Sequence, residues 1–113
     1  MKTTSYETSK KLAEAGFKAE TEFGYDKSGQ IDYPICNNSL IHIKCYDLET
    51  ILEALPRGLR VEGKYWELGL HFREFGKSIT YNNGSIAVYL EENESLADAA
   101  ARLWLKLKEM GLV

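Results

Sequence analysis

The stretch SITYNNGSIAVYL, Ser78 to Leu90, decides how this chain is read. Asn83-Gly84 is the dipeptide that most favours a tight hairpin turn, because both residue types tolerate positive φ. A two-residue turn there sets Tyr81 opposite Ile86 and Ile79 opposite Val88. Side chains alternate along a strand, and this register puts all four apolar residues on one face. Turn chemistry and hydrophobic alternation agree, which is stronger ground than either alone. The seed of the fold is therefore an antiparallel hairpin with one apolar face.

Upstream, Tyr65 to Arg73 alternates almost without error. Trp66, Leu68, Leu70 and Phe72 point one way, and Glu67, Gly69, His71 and Arg73 the other. Earlier still, Phe17, Ala19, Thr21, Phe23 and Tyr25 keep a period of two, which predicts a strand with one wet face. Asp26-Lys27-Ser28-Gly29 is a turn signal. Ile31, Tyr33 and Ile35 then alternate, as do Ile41, Ile43 and Cys45. Asn37-Asn38-Ser39 between them predicts a hairpin loop, with Ile35 opposite Ile41 and Tyr33 opposite Ile43. Pro34 has no N–H for a ladder, which assigns its strand to an edge.

Three helices punctuate these strands. Thr4-Ser5-Tyr6-Glu7 reads as a T-x-x-E capping box that starts the first, and Gly16 followed by Phe17 ends it. Asp47 caps the second, where Leu48, Ile51, Leu52 and Leu55 fall at helical spacing before Pro56 stops it; Tyr46 is placed to staple to Ile51. Ser95 caps the third, with Asp98 at N3, and Gly111 terminates it. In that helix Leu96, Ala99, Ala100, Leu103, Leu107 and Met110 share a stripe, with Trp104 at its margin and Leu105 on the charged face. The order is α, strands, α, strands, α. Tight hairpins predict an α+β fold: a mostly antiparallel sheet with three helices mainly on its apolar face, in one domain spanning 1–113.

A net charge of −3 argues against general nucleic-acid binding, which draws on a basic excess. No segment approaches the roughly 20 apolar residues that span a membrane, and the first residues lack a signal-peptide core. With two cysteines, Cys36 and Cys45, the chain is no disulfide scaffold, and the expectation is a cytoplasmic protein.

Candidates for chemistry are sparse. Cys36, His42, Cys45 and His71 lack the paired close spacings of a structural zinc site. The expected hairpin holds Cys36 and Cys45 more than about 10 Å apart, too far for a disulfide or a shared metal. His71 and Glu67 share a strand face and could act as a base and its orienting carboxylate, but no nucleophile is marked beside them. Glu49 and Glu53 lie one helical turn apart; Glu91, Glu92 and Glu94 gather before the last helix. Solvation explains both groups more simply. Phosphate-loop, dinucleotide, nucleophile-elbow and zinc-helix motifs are absent. Nothing here nominates catalytic, cofactor-binding or metal-binding residues. Aromatics are more suggestive: Tyr65, Tyr89, Trp104 and Tyr81 exceed what the core pattern requires. Exposed Tyr and Trp suit protein interfaces and can also stack on single-stranded nucleic acid.

The segments CYDLETILEALP (Cys45–Pro56) and NNGSIAVYLEENESLADAAARLWLKLKEMGLV (Asn82–Val113), with TSKKLAEAGF (Thr8–Phe17), resemble small proteins encoded by phages and prophages. These signatures are structural helix patterns. The resemblance implies a mobile-element origin and an accessory role, and it brings no site residues with it. The expectation is a small intracellular accessory protein that binds protein, a partner or a second copy, through Tyr65, Tyr89, Trp104 and Leu105. The alternatives are a single-strand nucleic-acid factor using Tyr65 and Tyr89, and an enzyme using His71 and Glu67.

Overall fold

The computed structural model describes residues 3–21, 23–26, 31–32, 41–73, 76–81 and 86–113. Along them run α1 (Tyr6–Glu14), β1 (Phe23–Asp26), β2 (Ile31–Asp32), β3 (Ile41–Cys45), α2 (Leu48–Ala54), β4 (Gly58–Val61), β5 (Lys64–Arg73), β6 (Gly76–Tyr81), β7 (Ile86–Tyr89) and α3 (Leu96–Glu109). All described strand pairs are antiparallel. The protein is α+β, in the element order the periodicity predicts, with its strands divided between two sheets, β2-β1-β3 and β4-β5-β6-β7.

The β6–β7 register is the one expected from the alternation: Tyr81 faces Ile86 and Ile79 faces Val88. The turn itself falls outside the described residues. β4 is a strand that alternation did not flag. It pairs with β5 around Glu62-Gly63, whose φ angles of 52° and 80° make a tight primed turn. Leu59 and Val61 before a Glu-Gly dipeptide were the available signal.

In the smaller sheet β1 is central: Tyr25 faces Ile31 on one side and Ile43 on the other. The expected Tyr33–Ile43 and Ile35–Ile41 pairs, and Cys36, lie outside the described residues. The strand expected from Phe17 begins only at Phe23. Phe17 instead closes the end of α1. Gly16, at φ 86°, lets its own N–H reach the Ala13 carbonyl and that of Phe17 reach the Leu12 carbonyl, at 3.1 and 2.9 Å. That turn drives the Phe17 ring into the core, edge-on to Tyr46 and Trp104, with centroids 4.7 and 4.9 Å away.

The start of α1 also corrects the expected capping box. Ser5, not Thr4, is the N-cap; its hydroxyl accepts the Thr8 N–H. The N–H of Ser5 is taken by Asp98 of α3, at 2.7 Å, and that of Thr4, expected to go to Glu7, by the Tyr46 carbonyl. Thr4 is withdrawn from capping because the chain there pairs with the end of β3. Its N–H donates to the Tyr46 carbonyl, its hydroxyl accepts the Tyr46 N–H, and it shares a 2.7 Å bond with the equally buried Ser9.

α2 is capped by Asp47 as expected, the carboxylate accepting the Thr50 N–H at 2.9 Å. α3 packs on β6 and β7 and touches both other helices. One core joins Leu12, Phe17, Tyr46, Ile51, Ile79, Tyr81, Ile86, Val88, Leu103 and Leu107.

Candidate functional site

The four expected interface residues do not form one surface. Trp104 is buried against Phe17, so it belongs to the core. Leu105 is half-buried and packs at the core's margin. The reason is that α3 has neighbours on several sides. Its buried residues, from Ala97 to Leu107, cover roughly 200° of arc at about 100° per residue, not a single stripe. Alanines at 97, 99, 100 and 101 let neighbours approach closely, and Met110, assigned to the stripe, is 51% exposed.

Tyr65 and Tyr89 are exposed and share the polar face of the larger sheet. Six residues of strand and two strand spacings separate them, about 20 Å, so they are not a single stacking pair. Tyr65 lies over Gly58, where an added Cβ would strike its ring. Tyr81 is not a surplus aromatic: it is fully buried, donates to the Pro56 carbonyl at 2.7 Å, and burial pushes its phenol up to about 12.

His71 and Glu67 do not make a base and its orienter. The imidazole Nε2 bonds Thr80 Oγ1 at 3.0 Å across the sheet, while Glu67, on a different stretch of the same strand, is exposed. The acidic cluster has a structural task. Glu94 accepts two bonds of 2.6 Å from Arg102, which also donates to the Tyr89 carbonyl, so α3 is clamped to the end of β7. Burial alone would raise the Glu94 carboxyl, but the Arg102 bonds and the Glu91 amide outweigh it and hold it below the usual range. Cys45 is a buried free thiol that desolvation pushes up, the opposite of a reactive nucleophile. Among the described residues no three acidic, His or Cys side chains gather as a metal site, and no helix is long and apolar enough to cross a membrane.

One concave apolar feature among the described residues is marked by no motif. A groove of about 560 Å³ runs between α2 and β5. Leu48, Leu52 and Leu55 line it from the helix, Leu68 and Leu70 from the strand, with Glu49, Glu53 and Arg57 also on its walls. Leu70 is 40% exposed, and Leu48, Leu52 and Leu68 are half-buried. The cause is local. Leu68 and Leu70 share the apolar sheet face with Ile79 and Tyr81, but α3 packs on β6 and β7. The row on β5 is left beside α2, whose capped, seven-residue length ends at Pro56.

No family model, curated protein or solved structure matches the chain.

Proposed function

We propose that this chain is a small accessory protein, of the kind phages and prophages encode, that works by binding another protein. The observation that supports it is the leucine groove. Small-molecule sites enclose most of a ligand and aim several polar groups at it. This groove is open along Leu70, and its charged side chains are Glu49, Glu53 and Arg57, which suits a chain segment rather than a metabolite. Contiguous apolar surface bordered by charge is the usual character of a protein contact.

The test is site-specific photo-crosslinking in cells that express the full chain, with benzoylphenylalanine in place of Leu70 or of Lys108, an exposed residue of α3. A discrete protein adduct from position 70 and none from 108 supports the reading. No adduct, or the same smear from both positions, overturns it.

A further inference from the structure

We propose that the partner binds as an extended strand with basic flanks, added to the outer edge of β5 in line with β4. This deepens the protein-binding reading and rests on it. In an antiparallel ladder, a residue directs its N–H and C=O to the same neighbouring strand, and the next residue directs them to the other. The Leu68 N–H donates to the Arg57 carbonyl at 2.9 Å, so the even-numbered residues of β5 face the β4 side. The β6 side agrees. The Leu90 N–H donates to the Lys77 carbonyl, which turns odd-numbered β6 residues to β7 and leaves Thr80 and Ser78 for Gly69 and His71.

β4 covers only the first half of β5, because the chain reaches it from α2 through Pro56 and joins the ladder only there. Beyond Leu68, then, Leu70 and Phe72 each present one donor and one acceptor to an edge that no described strand occupies. The leucine groove lies along this edge. Free backbone groups supply affinity for an extended segment, and the pocket beside them reads alternate side chains. Proteins generally shield such edges with charge, proline or a bulge. Here the exposed residue is Leu70.

Two observations choose the occupant. Apolar side chains on one face of the added strand would meet Leu48, Leu52 and Leu70. Basic residues at its flanks would meet Glu49 and Glu53, the acidic majority on the groove walls. A second copy is disfavoured, since a two-fold axis on this edge brings a second Glu49–Glu53 pair and a second α2 to the same place.

The experiment is amide hydrogen exchange by NMR on the full chain, alone and with a capped peptide in which valine alternates with threonine between terminal lysines. In the free protein, Leu70 and Phe72 amides exchange faster than Gly69 and His71. The peptide slows Leu70 and Phe72 at least tenfold. N-methylating alternate peptide residues in one phase abolishes this, and in the other phase leaves it. Glu49→Lys with Glu53→Lys weakens binding at least fivefold, while the same residues reordered to helical spacing bind no better than that. Three results overturn the proposal: Leu70 already protected in the free protein at low concentration, protection that grows with protein concentration alone, or peptide binding that shifts the Leu52 methyls without slowing Leu70. The last leaves the crosslinking result, and so the protein-binding reading, standing with a different mode.

Discussion

The apolar face of the larger sheet has two halves that differ only in what lies over them. On β6 and β7, Ile79, Tyr81, Ile86 and Val88 are 5% exposed or less beneath α3. On β5, Leu68 and Leu70 continue the same rows across the ladder, paired with Tyr81 and Ile79, yet Leu70 is 40% exposed. Alternation assigns a residue to a face; whether the face is covered depends on where a distant helix comes to rest. The covered half is core, and the uncovered half is the candidate binding groove.

Mutations sharpen this contrast, and the largest effect belongs to the cover itself. Leu103→Ala removes a fully buried side chain of α3 and is expected to cost about 2–5 kcal/mol in urea unfolding. If the loss is no larger than that of an exposed leucine, α3 does not cover the sheet as described. Tyr81→Phe, on the covered half, leaves the Pro56 carbonyl without its donor, for about 1 kcal/mol. It also alters the alkaline limb of stability. The unfolded phenol loses its proton near 10, whereas the folded one holds it to about 12. Stability is therefore full below pH 10 and drains between 10 and 12. The variant should lose part of that slope; an unchanged slope would show that Tyr81 is not buried.

Glu94→Gln loosens the clamp that holds the cover to β7. Arg102 is about a third exposed, so the pair is screened and the loss should be about 1 kcal/mol at pH 7. Because the folded Glu94 carboxyl is held low, its contribution is complete above the ordinary carboxylate pKa. It fades as pH falls through the lower folded value, so wild type and variant should converge in strong acid. A gap that persists there would mean the ion pair is not the cause. Smallest of all, Leu70→Ser on the uncovered half should change unfolding free energy by less than about 0.5 kcal/mol while removing crosslinks or peptide binding at the groove. A core-sized loss would place Leu70 under cover and close the groove.

Much of the local structure was legible in short stretches. Asn83-Gly84 with its alternating flanks gave the β6–β7 register. Gly16 and Gly111 each end a helix in the expected left-handed turn, and in both the following residue, Phe17 or Leu112, bonds back to a core leucine carbonyl. Asp47 and Ser95 cap as read, since a side chain that reaches an amide three residues on needs nothing from the rest of the chain. The site was not legible in the same way. Tyr65 and Tyr89 read as exposed because they fall on the polar strand faces, which holds. Trp104 and Leu105 read as surplus to a single α3 stripe, but α3 is enclosed on more than one side, which draws Trp104 inside and Leu105 to the margin. The groove residues were each visible as core-type leucines, and nothing in their spacing marks which of them would stay uncovered.

The sequence by itself therefore determined the α+β order, the helix caps and stops, and one hairpin register, because each depends on hydrogen bonds and φ preferences within a few residues. Only the tertiary structure decided that Asp98 completes the cap of α1, that Thr4 leaves capping to bond Tyr46 beyond β3, that β1 lies between β2 and β3, and that Leu70 of β5 stays 40% exposed while its partner Ile79 is buried. These rest on contacts between segments far apart in the chain, where burial and shared hydrogen-bond partners outweigh the preferences of any single stretch.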